Sequence, residues 1–288
     1  MITSIIINGI LIGLIYALLA IGLTMIFGVM RIINMFHGEA VMLGMYAAFV
    51  LFDRFGISPY LSVFLTTPVF FVLGAIVYKF LIDPIPVRER EITSLIITLG
   101  ISYVFATSAM YIWTADYRTV TLAFSQEVIV FLKTRIGYPA LLSSVMSAVL
   151  IVVFYLFMSK TYMGRAIRAT ELDKDTASLM GVNVEWISIA TFGIGVVLAA
   201  MAGGILSPIF YIYPFVGSNF VIKAFTIVVL GGMGSVTGAL VGGIILGVAE
   251  ALASTFLEYS MKDIMAFILF LGILLFKPSG LLGGKTRL

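Results

Sequence analysis

Long uncharged apolar stretches dominate this chain, and they restrict its fold more than any other feature. The first runs from Ile5 to Met30 without a charged residue. About 20 apolar residues are enough for an α-helix to cross the hydrocarbon core of a membrane. Only 11% of the 288 residues are charged, whereas soluble domains have about 25%. The chain is therefore predicted to be a polytopic membrane protein.

The apolar segments predict an all-α transmembrane bundle of about eight or nine spans. They cover residues 7–30, 38–52, 60–82, 92–112, 140–158, 186–207, 218–232, 238–257 and 263–276. The second and seventh are short, so the region 218–257 could contain a re-entrant or broken helix around the glycine-rich run 231–235, where a turn is the alternative. Spanning β-strands would need alternating apolar and polar residues, which these continuous runs contradict. We expect one transmembrane domain over residues 1–288.

Lysine and arginine are unevenly divided between alternate loops. Of the 17 basic residues, eleven fall in loops on one side, five fall on the other, and Lys223 lies within a span. Cytoplasmic loops carry the excess of Lys and Arg. This predicts a cytoplasmic loop 159–185, a cytoplasmic C-terminus and an external N-terminus. The first span has no basic residue before it, so we expect it to be retained rather than cleaved as a signal peptide.

The loop 159–185 contains the longest polar segment of the chain. Its charged residues precede a group of small and apolar ones: Arg165, Arg168, Glu171, Asp173 and Asp175, then Ala177, Leu179, Met180 and Gly181. Helices that dock in a partner's groove use apolar anchors with flanking charges. We predict one cytoplasmic helix over 163–181 that docks on a soluble partner, with Ala177 and Gly181 at the closest contact. A solvated charged loop is the alternative.

Two charged residues lie within predicted spans. Glu250 is near the middle of its span, and Lys223 is near the start of the preceding one. A charge at the bilayer centre costs about 2.5–3.5 kcal/mol on insertion scales, so such residues are candidates for function. The two could pair with each other for structural reasons, or they could line a transport pathway.

A second polar group lies between the first two spans. It comprises Asn34, His37 and Glu39, with Glu39 at the N-terminal end of the second span. An acidic residue at that end is favoured by the helix dipole. These residues are candidates for the pathway, and the alternative is a polar turn at an ordinary cytoplasmic boundary beside Arg31.

The residues needed for catalysis are scarce in this sequence. The chain has no cysteine and a single histidine, which excludes cysteine chemistry and a histidine-rich metal site. The tail 279–286 resembles the end of a phosphate-binding loop but has Ser279 where the first glycine is required. The net charge of +3 gives no reason to expect a nucleic-acid partner. We expect a non-catalytic subunit without a cofactor.

Several stretches resemble the LivH-type permeases of high-affinity branched-chain amino acid ABC transporters. They are residues 13–24, 27–39, 165–169 with 177–183, and 223–243. Residues 175–181, D-T-A-S-L-M-G, are similar to the E-A-A-x-x-x-G coupling motif of ABC importer permeases. The resemblance runs nearly end to end.

That resemblance implies a multi-subunit machine in the bacterial inner membrane. This chain and a second, LivM-type permease subunit would form the translocation pathway. Two ATP-binding subunits would dock on the cytoplasmic loops, and a periplasmic solute-binding protein would deliver a branched-chain amino acid or a related small polar solute. An ion-coupled secondary transporter or a channel remains the alternative, for which only Lys223 and Glu250 offer charges within spans.

Overall fold

The computed structural model describes residues 2–86, 88–131, 134–256, 262–277 and 279–282. The C-terminal residues 283–288, predicted above to be cytoplasmic, lie outside this description. The described elements, in chain order, are α1 Ile2–Met30, α2 Phe36–Phe55, α3 Pro59–Val77 with a π-helical turn Tyr78–Ile82, α4 Arg90–Trp113, β1 Val128–Phe131, β2 Thr134–Gly137, α5 Tyr138–Lys160, α6 Tyr162–Leu172, α7 Lys174–Leu179, α8 Val184–Leu206, α9 Val216–Gly231, α10 Val236–Phe256 and α11 Lys262–Phe276.

The predicted transmembrane helical bundle is confirmed. Within the described residues, six helices are long and apolar enough to cross a membrane: α1, α3 with its π-helical turn, α4, α5, α8 and α10. The apolar helices α9 and α11 are shorter. β1 and β2 form one small antiparallel hairpin.

Helices α1 and α8 form the centre of the bundle. Most of their residues are buried, whereas α4 buries only four residues. Helix α1 packs tightly against α10 through small residues, since a Cβ on Gly9 would lie 2.6 Å from the Cα of Val248. Small residues let helix backbones approach closely in membranes, where dispersion contacts replace the hydrophobic effect between helices.

The segment that joins α1 to α2 runs back into the bundle. Nε2 of His37 lies 2.9 Å from the carbonyl oxygen of Leu19. Leu19 precedes Met30 by eleven residues, which is about 16 Å along the helix axis. Six extended residues reach about 20 Å, so the segment from Arg31 has the length to return this far. Helix α2 therefore begins inside the bundle, and the ordinary membrane boundary considered above for Asn34, His37 and Glu39 is wrong.

Helix α4 provides hydrogen-bond partners for backbone groups of this returning segment. The Met35 amide donates to Oγ1 of Thr98 at 3.1 Å, and the Thr98 hydroxyl lies 3.2 Å from the Ile33 carbonyl oxygen. Unpaired backbone groups are costly in lipid, so irregular chain at membrane depth occurs only where protein covers it.

Helix α9 also begins inside the bundle. Its Gly217 packs backbone to backbone against Gly38 of α2. The helix has 16 residues and is about 24 Å long. A tight turn joins it to α10, and Gly234 adopts a left-handed φ of 86° there, which suits glycine. The glycine run 231–235 is thus a turn, and the interruptions of the helical spans lie at 31–35 and 207–215.

The predicted single helix over 163–181 is wrong, because the structure divides it into α6 and α7. Asp173 separates them with an extended φ of −159°. Its side chain accepts hydrogen bonds from the amides of Asp175 at 2.9 Å and Thr176 at 3.1 Å. Aspartate is a favoured N-cap because its carboxylate satisfies amides left free at a helix start. A new helix therefore begins at Lys174.

Candidate functional site

The segment 34–39 at the start of α2 carries three buried polar side chains. Asn34 and His37 are fully buried, and Glu39 is 3% exposed. Both amide atoms of Asn34, Nδ1 of His37 and Oε2 of Glu39 have no hydrogen-bond partner among the described residues. Buried polar groups in proteins are nearly always hydrogen-bonded, to protein or to water. Atoms that are buried without a partner are therefore unusual, and they mark these three residues as candidates for function.

The N-termini of α2 and α9 meet beside Glu39. A Cβ on Gly217, in the first turn of α9, would lie 2.9 Å from Cδ of Glu39. The Ser102 hydroxyl of α4 donates to Oε1 of Glu39 at 2.9 Å. Helix N-termini carry a partial positive charge, so both ends favour the Glu39 carboxylate here. Interrupted helices whose N-termini face one point are typical of solute sites in transporters.

An apolar cavity of about 490 Å³ adjoins the same segment. Ile33 and Met35, on either side of Asn34, line it together with residues of α1, α4, α9 and α11. Its lining residues, which include Leu23, Val221 and Phe225, are mostly apolar. Its size falls within the range of about 300–1,000 Å³ that is common for ligand pockets.

Lys223 and Glu250 form a buried ion pair between α9 and α10. Each side chain is 7% exposed, and Nζ of Lys223 donates to Oε1 of Glu250. The Tyr16 hydroxyl of α1 donates to Oε2 of Glu250 at 2.9 Å. Glu250 and Tyr16 also line a cavity of about 300 Å³ near the N-terminal half of α1. The pair thus joins three helices beside a cavity.

Three apolar side chains at the C-terminal ends of α6 and α7 are exposed. Leu172 is 86% exposed, Leu179 is 87% exposed and Met180 is 80% exposed. Ala177 is 5% exposed and therefore packs within this chain, contrary to the predicted contact with a partner. Gly181 has a φ of 85°, which suits a glycine at the end of α7, and open space around it, so its close contact with a partner stays a prediction.

Glu171 points into the bundle rather than toward the outer surface predicted for it. A Cβ on Gly28, near the end of α1, would lie 2.5 Å from Oε1 of Glu171, and one on Gly234 would lie 2.8 Å from the same atom. Burial raises the pKa of the Glu171 carboxyl, and the charge of Arg168 partly opposes this shift. Glu171 therefore connects α6 to the end of α1 and to the turn between α9 and α10.

The other charged residues of this loop have mainly local contacts. Arg165 and Arg168 donate to the carbonyl oxygens of Lys160 and Met158 in α5. Hydrogen bonds from the Thr176 amide and hydroxyl and from the Asp175 amide lower the pKa of Asp173, which acts as the cap of α7. The side chain of Asp175 is exposed. Of the predicted docking residues, Arg165, Arg168, Asp173, Asp175 and Gly181 are thus exposed.

Three residues of these sites are absent from the sequence-based predictions. Leu172 is an apolar residue next to charged ones, which is a usable signal. Tyr16 and Ser102 have no local signal, because their acidic partners Glu250 and Glu39 lie far away in the sequence. Among the described residues, no group of three or more His, Asp or Glu is placed to hold a metal ion.

Comparison with known proteins gives consistent matches along the chain. A family model described as branched-chain amino acid transport system / permease component matches residues 5–274. The high-affinity branched-chain amino acid transport system permease protein LivH of Salmonella typhimurium is 36% identical, over 96% of this chain and 94% of that protein. The corresponding permease protein BraD of Pseudomonas aeruginosa is 34% identical over the same shares.

The fold is also found among solved structures. PsaBC from Streptococcus pneumoniae in complex with Fab matches with a TM-score of 0.50 and 14% sequence identity. The match covers 94% of this chain and 91% of that one. At this identity the likeness concerns the fold alone.

Proposed function

Because the chain belongs to the family of branched-chain amino acid transport permeases, we propose that it is the LivH-type permease subunit of an ATP-driven importer. Its cargo is a branched-chain amino acid or a related small polar solute. A second, LivM-type permease completes the pathway, two separate ATP-binding subunits supply the energy, and a periplasmic binding protein delivers the solute. The chain itself is non-catalytic.

The observation that carries this proposal is the set of buried polar side chains at the start of α2, next in the chain to Ile33 and Met35, which line an apolar cavity. Asn34, His37 and Glu39 offer polar atoms without partners among the described residues, and the cavity lined by Ile33 and Phe225 offers an apolar surface. A branched-chain amino acid has a charged head and an apolar side chain, so it needs both environments. The arrangement supports a solute pathway between the starts of α2 and α9.

The apolar surface of α6 and α7 supports docking of the ATP-binding subunits. Leu172, Leu179 and Met180 lie outside the spans, so lipid does not account for their exposure. Exposed apolar groups rimmed by charge mark protein interfaces. The excess of basic residues supports a cytoplasmic position for this loop, where ATP is available.

Reconstitution of the purified subunits in proteoliposomes tests this function. Uptake of labelled leucine should require ATP on the side of α6 and α7 together with the binding protein, and it should be unaffected when ion gradients are collapsed. Uptake that follows an ion gradient without ATP would instead support a secondary transporter. Met180→Glu should abolish co-purification of the ATP-binding subunits, whereas Asp175→Asn, which removes one exposed charge at the rim of the same surface, should have a much smaller effect.

A further inference from the structure

A polar cavity of about 470 Å³ lies at the end of the bundle that carries α6 and α7. Its walls come from the end of α1, the connection from α3 to α4, and the junction between α6 and α7. These segments contribute four basic residues: Arg31, Arg88, Arg90 and Lys174. We name this cavity the basic pocket.

The three acidic residues of the basic pocket only partly offset its four cations. Asp173 accepts the hydrogen bonds that cap α7, and Oε1 of Glu171 is directed toward Gly28 and Gly234. Glu91 is the third acid of the lining. The lining thus has one more cation than it has acids. In the described part of the chain, Arg31, Arg88 and Lys174 have no acidic partner within 4.0 Å.

Three of these cations, Lys174, Arg90 and Arg31, lie near enough to interact electrostatically. Burial, followed by the charges of Arg90 and Arg31, lowers the pKa of Lys174. Arg31 has a left-handed φ of 52°, which is uncommon for a residue with a side chain and occurs often at functional sites. Arg90 is fixed by donating to the carbonyl oxygens of Asp83 and Ile85 at 3.1 Å each. A bound anion would offset the repulsion among these cations.

We propose that the basic pocket binds a phosphate group. Guanidinium groups match phosphate oxygens with paired hydrogen bonds, and Lys adds a compact charge. Basic pockets between transmembrane helices on the cytoplasmic side bind anionic lipid headgroups, and a soluble phosphate compound offers the same chemistry. The bound phosphate would tie the end of α1 to the start of α7, and so couple α6 and α7 to the segment that returns to Asn34.

The test uses the full-length chain, purified with its partner subunits, in lipid nanodiscs. One arm contains phosphatidylcholine with some phosphatidylglycerol, and native mass spectrometry counts the anionic lipids retained. The other arm contains phosphatidylcholine alone, and equilibrium binding of radiolabelled inorganic phosphate is measured. Retention in the first arm identifies a lipid headgroup, and saturable binding in the second identifies a soluble phosphate.

Lys174→Gln and Arg31→Gln should each weaken the observed binding by about tenfold or more, since a hydrogen bond to a charged group contributes about 1.5–3 kcal/mol. Arg54→Gln is the matched control, because Arg54 is an exposed cation in the last turn of α2, outside the pocket.

The proposal is overturned if neither arm shows binding that depends on Arg31 and Lys174. It is also overturned if the variants only lose the ATP-binding subunits, because an acidic side chain of the partner would then fill the pocket. Binding is measured without uptake, so this result is independent of the transport assay.

Discussion

The ion pair between Lys223 and Glu250 offers a quantitative test of the bundle's interior. Each side chain is 7% exposed, and Tyr16 donates a second hydrogen bond to Glu250. Removing one partner of a buried pair leaves an uncompensated charge and costs about 3–5 kcal/mol. We therefore expect Lys223→Met and Glu250→Gln each to lower the free energy of unfolding by this order.

The double variant should be much less destabilised than the sum of the two single variants. Residues in direct contact show coupling energies of about 0.5–3 kcal/mol in double-mutant cycles. Unfolding by sodium dodecyl sulfate, followed by circular dichroism in mixed micelles, measures all four proteins. Simple additivity of the two single effects would refute the pairing. If Glu250 also lines the pathway, uptake by Glu250→Gln should fall further than the amount of folded protein.

Three further predictions address the loop and the topology. Glu171→Gln should preserve assembly but lower the uptake obtained per ATP hydrolysed. Gly28→Ala should do the same, because the added methyl group would displace the Glu171 carboxylate. An unchanged ratio of uptake to ATP hydrolysis in both variants would contradict a role of Glu171 in coupling. Because the pKa of Glu171 is raised in the folded chain, stability should fall as pH rises through that raised pKa, and Glu171→Gln should lose this dependence in unfolding titrations. In this cysteine-free chain, Gln126→Cys should react with an impermeant thiol reagent outside intact cells and Leu172→Cys should not; the reverse labelling would invert the topology.

The helical spans were predictable because their signal is local. Each apolar run is long enough to predict a helix by itself, and the predicted span 92–112 lies within α4. The helix break at Asp173 has a local signal as well, since aspartate is one of the preferred N-cap residues. That signal was outweighed by the amphipathic pattern on both sides of it.

The position of the candidate site was not predictable from local sequence. A polar segment after Met30 looks like a membrane boundary, and only the contacts of His37 with Leu19 and of Glu39 with Ser102 place it inside the bundle. The inward direction of Glu171 has the same origin, because Gly28 and Gly234 are far away in the sequence. Single-sequence patterns report periodicity and propensity, whereas these contacts depend on how distant helices pack.

Solute protection of a cysteine introduced into the apolar cavity tests the central claim most directly. Phe225 lines the cavity beside the start of α2, so Phe225→Cys is the test variant. Val153→Cys is the control, because Val153 is 56% exposed on the outer surface of α5. In the reconstituted complex with ATP and the loaded binding protein, the solute should slow modification of the Phe225→Cys variant by a small thiol reagent and leave the Val153→Cys variant unaffected. Equal modification rates with and without solute in both variants, in a complex that still transports, would contradict a pathway between the starts of α2 and α9.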